Sequence, residues 1–355
     1  MSLKLHSGAM SLFPYRIWRL AAVSSLACLA APIQAQPAPP RTLEVPANVS
    51  WQHAETELIL PPQSAGLRRT RIRDNTADEL DIVADYADDL QGTIATVFLF
   101  KTAVPDVALW FDRALTAIML RPGWNLQASP MPAGIVFARP GASAASALRT
   151  SVDVGVPGAR SSALAVVPLG PFLAKVRISS DRLDRSALDA LMIRFIEGLQ
   201  WPTASAGEAA AVPIEPCAAP MRLRRARVVR DDMAQVLGNL ITGAAAARRT
   251  GPGPVYCREP GPTLERGVYR PGGSSQAYVI ALGDAGVLLS LGQALDMGAL
   301  LGNGGRGRTY SMTLLDREST GALPSFSRLP PPDQAIAVAF GSGGPTLSAT
   351  TRDPN

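Results

Sequence analysis

Histidine is nearly missing from this 355-residue chain, which has only His6 and His53. Cysteine is almost as scarce, with Cys28, Cys217 and Cys257. A histidine-based zinc site, a Ser-His-Asp triad or a Cys-His dyad would each need residues that are absent or confined to one candidate. Lysine is down to Lys4, Lys101 and Lys175, so arginine supplies the rest of the 34 basic residues. With abundant alanine and proline, this usage fits a GC-rich bacterial genome. No tryptophan follows Trp201.

The N-terminus reads as an export signal. Arg16 and Arg19 precede the apolar run from Leu20 to Ile33, which ends in Ile33-Gln34-Ala35 and the Pro-rich Pro37-Ala38-Pro39-Pro40. Basic, apolar and small-residue segments in that order predict a Sec-type signal peptide over 1–35, cleaved after Ala35. The run is short for a membrane span. Met1 and Met10 are both candidate starts. Cys28 follows Ser25-Leu26-Ala27, close to a lipoprotein acceptor but with Ser where Leu is usual.

Cleavage would remove Lys4, Arg16 and Arg19 and no carboxylate, so the net charge of +5 falls to +2. At +2 the argument for a nucleic-acid partner largely disappears. The expected compartment is the periplasm or the exterior. There an even cysteine pair reads first as a disulfide, Cys217 to Cys257. In the chain-entropy account such a bridge contributes about 4 kcal/mol.

The mature length suits two domains. Residues 203–214, beginning Thr203-Ala204-Ser205-Ala206-Gly207, have no helical stripe and no strand alternation and read as a linker. On its N-terminal side, 42–202, strands are expected at Glu57–Leu60, Leu67–Arg73, Glu79–Tyr86, Thr93–Lys101, Gly134–Arg139, Ala147–Val154, Ser162–Pro168 and Phe172–Ser179. Alternation in Glu79–Tyr86 predicts one buried and one wet face. One helix opens at Pro105-Asp106 with a stripe of Val107, Trp110, Phe111, Ala114 and Ile118. Another runs from Asp184 to about Leu199, with Leu188, Leu191, Met192, Phe195, Ile196 and Leu199 at helical spacing. The expected fold is α+β, two domains, each a mainly antiparallel sheet packed with one or two helices.

Leu58-Ile59-Leu60-Pro61, Asp81-Ile82-Val83-Ala84-Asp85-Tyr86, Thr93 to Phe100 and the closing strand, helix and Leu199-Gln200-Trp201 resemble the plan of PsbP-like α/β/α sandwich domains. The resemblance covers residues ~50–202. It implies a fold and an assembly or binding role, with no catalytic residues to carry over.

The second domain, 215–355, is expected to open with a helix from Asp231-Asp232 to Arg248-Arg249, striped by Met233, Val236, Leu237, Leu240 and Ile241. Strands are expected at Val255–Arg258, Gly267–Arg270, Ala277–Leu282, Val287–Leu291 and Thr309–Leu315, with a hairpin of Ala335–Phe340 and Pro345–Thr351 at the end.

Candidate chemistry is thin. Gly302-Asn303-Gly304-Gly305-Arg306-Gly307 matches GxGxxG, but it lies between an expected helix over Gln293–Leu301 and a strand, the reverse of the dinucleotide-binding order. The carboxylates Asp74, Asp78, Glu79, Asp81 and Asp85 miss the offsets of a calcium loop. His53, beside Trp51, reads as a surface or capping residue. Gly341-Ser342-Gly343 reads as a turn, not a nucleophile elbow. Tyr278–Leu301 is apolar, but its two acids and its glycines favour a buried hairpin over a span. Arg222, Arg224, Arg225, Arg227 and Arg230 form a dense charge run, either a solvated strand or helix face partly neutralised by Asp231 and Asp232, or a candidate anion patch for phosphate, lipid A or a polyanionic envelope polymer. No metal, cofactor or catalytic residue is assigned. The sequence is read as an exported, non-catalytic binding or assembly protein of the bacterial envelope, its ligand or partner undetermined. The alternative is a histidine-independent hydrolase of an envelope glycan or ester, and a third reading is a scaffold lipidated at Cys28.

Overall fold

The computed structural model describes residues 40–341 except 91, 127–129, 205–207, 230–235, 242, 244–252, 285 and 296–307. The signal segment with Met10 and Cys28, Arg230 to Met233, Arg248-Arg249, the Gly302–Gly307 loop, Ser342 and Pro345–Thr351 lie outside the described residues.

In chain order the strands of the first half are β1 (Arg41–Thr42), β2 (Trp51–Gln52), β3 (Ile59–Leu60), β4 (Gln63–Ser64), β5 (Leu67–Asp74), β6 (Asp81–Ala87), β7 (Thr93–Lys101), β8 (Ile135–Phe137), β9 (Ala147–Val156), β10 (Ala159–Leu169) and β11 (Phe172–Ser180). All but β2 and β3 form one antiparallel sheet in the order β1-β5-β6-β7-β11-β10-β9-β8, with β4 also on β5. Helix α1 (Val107–Met119) starts at Asp106, whose side chain accepts the Leu109 N–H. Helix α2 (Arg185–Gly198) starts at Asp184, which accepts from Ala187 in the same way. Such caps satisfy an otherwise orphaned donor.

The second half gives β12 (Glu215–Pro216), β13 (Val228–Val229), β14 (Tyr256–Arg258), β15 (Arg266–Pro271), β16 (Tyr278–Leu282), β17 (Val287–Gln293), β18 (Tyr310–Leu315), β19 (Thr320–Phe326) and helix α3 (Pro332–Phe340). Its sheet runs β12-β14-β15-β16-β17-β18-β19-β13, antiparallel except for the β12–β14 pair. Residues 236–241 are helical. The architecture is therefore α+β with antiparallel sheets dominant and helices few, one sheet from each half of the chain. Both sheets belong to one compact unit.

Helix α2 covers one face of the first sheet, packing Leu188, Met192, Phe195 and Ile196 on Ile82, Leu99, Val167 and Val176. Helix α1 lies on the other face and is itself covered by the second sheet. Trp110, Phe111, Leu115 and Ile118 share a core with Leu148 and Leu164 of the first sheet and with Tyr269, Val279, Ala281 and Leu288 of the second. The far face of the second sheet carries a third core, built from Tyr278, Ile280, Leu291, Met312, Phe326 and Ala335 with Met221 and Leu223.

Four expectations need correction. Strand β6 is buried along both faces except at its end, because α2 covers one side and the second half the other. Ala335–Phe340 is helical, not a strand. Ile336, Val338 and Phe340 alternate, but Pro331-Pro332, Asp333 in the first turn and Gly341 at φ 75° are helix-end signals that outweigh the alternation. Gln293 ends β17, and Ala294 and Leu295 are not helical. Leu237 and Ile241, expected on a buried stripe, are exposed. Strand β19 escapes notice in the sequence because Pro324 breaks its pattern; a register shift in the β18–β19 pairing accommodates it.

Candidate functional site: buried charges between the sheets and an arginine strap

Charged groups separate into two regions. The first is the seam between the sheets. Asp112, on the α1 face turned to the second sheet, accepts from Tyr269 Oη at 2.8 Å and pairs with Arg258. Its neighbour Arg113 is fully buried and donates to the carbonyls of Gly283 (2.9 Å), Leu264 (3.0 Å) and Thr263 (3.1 Å). Two turns of the second sheet reach the first in the same manner. Lys175 binds Asp284 at 2.6 Å and rests over the Phe98 ring, 4.4 Å from its centroid, while Arg317 binds Asp81 at 2.9 Å. Gly286, at φ 91°, lets the first of those turns close on Lys101 and Thr102; a Cβ there would stand 3.1 Å from the Lys101 carbonyl oxygen.

Burial holds the Asp112 carboxyl above its ordinary range, against the pull of Arg258 and Tyr269. Asp81 is raised by burial as well, against the opposing charge of Arg317. At Asp284 burial also opposes ionisation, but Lys175, with Arg113 and Arg177, outweighs it and holds the carboxyl below the usual value. A raised carboxyl is what a general acid requires. Here Asp112 spends both oxygens on Arg258 and Tyr269, and Asp81 is held by Arg317 and Asn75. The seam is built to hold two sheets together.

The histidine and the acidic cluster are structural too. His53 is buried, not at the surface, and acts as a turn cap. Its Nδ1 accepts the Thr56 N–H at 3.0 Å, which leaves Nε2–H to donate to the Glu79 carbonyl at 2.8 Å. Asp74 is bound by Arg41 and by Thr76, and Asp85 by Arg71 and Arg73. No group of acids, histidines and cysteines among the described residues could hold a metal ion.

The second region is residues 217–229. Cys217 and Cys257 form the expected disulfide. It fastens the chain beside β12, at one edge of the second sheet; β13 lies at the opposite edge. The segment bends at Ala218-Ala219, is still tied to Glu259 beside β14 at Met221, and from there crosses the far face of the sheet to β13. Met221 and Leu223 turn in against the third core, with Ala226 buried in it.

The backbone of this strap is tied at several points. Cys217 N–H donates to the Arg258 carbonyl and Met221 N–H to the buried Glu259, both at 2.9 Å. The Gln334 side-chain amide clamps Ala226, accepting from its N–H at 2.9 Å and donating to its carbonyl at 2.6 Å. Arg227 and Ser327 exchange further bonds. Arg270 links the bridge to Glu259, donating to Cys217 Sγ at 3.3 Å and pairing with the carboxylate at 2.7 Å.

With apolar residues turned in, Arg222, Arg224, Arg225 and Arg227 are left exposed. Among the described residues none of these four guanidiniums has a hydrogen bond or an ion pair. Most of the other strongly basic groups of the molecule, such as Arg113, Arg139, Arg149, Arg258, Arg266 and Arg270, are anchored. The sequence showed the arginine run but not its scaffold, because Gln334, Ser327 and Glu259 are distant in the chain.

Comparison with known protein families, curated proteins and solved structures finds no match to the chain. No helix among the described residues is long and apolar enough to cross a membrane. Tyr278–Leu282 and Val287–Gln293 are paired strands, as a buried hairpin requires.

Proposed function

We propose that this chain is an exported, non-catalytic binding or assembly protein of the bacterial envelope, and that it engages anionic partners through the strap. The observation that carries the reading is the contrast between the regions: buried charges are consumed in joining the sheets, while four arginines stand exposed, without a partner among the described residues, on a backbone tied at Met221, Ala226 and Arg227. Like charges so crowded repel one another in the free protein, and an anion relieves that repulsion. Arginine forks suit carboxylate, sulfate and phosphate oxygens. The Cys217–Cys257 bridge and the signal-like N-terminus support an oxidising compartment, and the PsbP-like plan of residues ~50–202 supports a binding or assembly role.

The test is retention on immobilised heparin as salt rises. Wild type is expected to elute late, and R224E/R227E near the void. Equal elution of the two would reject the strap as the binding surface.

A further inference from the structure

We infer that the strap takes a linear polyanion, specifically an extended anionic glycan bearing carboxylate or sulfate groups; this rests on the anion-binding reading above. The geometry is that of a line. Arg222 to Arg227 covers five residues, at most about 17 Å, and with Leu223 and Ala226 turned in three residues apart, Arg222 and Arg225, and likewise Arg224 and Arg227, repeat at the same spacing of up to about 10 Å. The ties at Met221, Ala226 and Arg227 flank and pin this stretch. One phosphate could occupy only part of it. A polymer with regularly spaced charges could meet all four arginines at once, each further contact forming at high effective concentration. The pinned backbone means that little main-chain freedom is lost on binding.

Two other polyanionic surfaces fit less well. Single-stranded nucleic acid is held by bases stacked on aromatic rings as well as by charge. No Phe, Tyr or Trp is among the exposed large hydrophobics of the described residues. A lipid surface is gripped by apolar and aromatic side chains entering the interface. Within residues 217–229 the exposed large hydrophobic is the single Val228. What remains is contact through charge and arginine forks alone, which a sulfated or uronate glycan satisfies.

The experiment measures binding of fluorescein-labelled heparin oligosaccharides of increasing length. Inorganic phosphate, oligo(dT) and vesicles of phosphatidylglycerol with phosphatidylcholine serve as comparison probes. Three full-length proteins are compared: wild type, R224E/R227E, and R160E/R185E, which makes the same charge change at exposed residues of the first half. Affinity for wild type should climb with length until the oligosaccharide spans the strap, then level off. R224E/R227E should bind at least about tenfold more weakly, with the log–log salt slope reduced by about 1 to 2. R160E/R185E should keep both affinity and slope. If phosphate competes charge for charge as well as the long oligosaccharide, the polymer inference falls and the anion-binding surface stands. Tighter binding of oligo(dT) or vesicles at matched charge likewise overturns the glycan. If no probe binds, or both variants lose affinity equally, the strap reading falls with it.

Discussion

Arg258 and Arg224 are the same residue type, and the molecule uses them in opposite ways. At the seam Arg258 is almost enclosed and paired with Asp112; on the strap Arg224 is exposed and has no partner among the described residues. An arginine charge is costly to bury alone and tolerable when matched, so seam arginines arrive with carboxylates or carbonyls already in place. Exposed charge needs no partner, so a bare arginine costs the fold little. The backbone beneath it is tied by the disulfide, Glu259 and the Gln334 clamp, so the four side chains project from a fixed segment.

The largest effect should come from breaking the seam. Asp112→Ala leaves Arg258 and Tyr269 without their acceptor and should cost about 3–5 kcal/mol in urea unfolding. A loss below about 1 kcal/mol would mean that the pair contributes little to joining the sheets.

Next comes the strap's support. Gln334→Ala strips partners from the Ala226 N–H and carbonyl and should cost roughly 1–3 kcal/mol. It should also make Arg224, Arg225 and Arg227 early trypsin sites, since cleavage requires a backbone free to enter the protease. Trypsin resistance equal to wild type would show that the clamp does not hold the strap.

A subtler contrast lies in pH. The folded chain holds the Asp112 proton more tightly than the unfolded chain does, so that group favours folding below its ordinary value of 3.8, and the contribution declines as pH rises through the folded value. Asp284 is depressed, so its contribution is present above 3.8 and is lost as pH falls through its folded value. Relative to wild type, D112N should therefore gain stability as pH rises from 3 to 7, and D284N should lose it. Melts at both pH values that moved the two variants in the same direction would contradict this assignment.

Much of the fold was legible because local and global signals agree in it. Asp184 as a cap and the Leu188–Ile196 stripe gave α2, and Thr93–Lys101 matched its strand end to end. Where they disagree, tertiary context decided. Asp112 and Arg113 are charged residues within α1, yet both are buried, because their partners come from some 150 residues away. No local pattern can announce a partner so distant. The same distance hid Gln334 and Glu259 beneath the arginine run. At α3 the signals were present, and the alternation of Ile336, Val338 and Phe340 masked them.

The most direct test of the account measures stability and binding on one preparation of R224E/R227E. Exposed, unpaired arginines should leave urea unfolding within about 0.5 kcal/mol of wild type, while heparin-oligosaccharide affinity falls at least about tenfold. A variant that unfolds markedly earlier yet binds the oligosaccharide as wild type does would place these arginines in the fold and not in recognition.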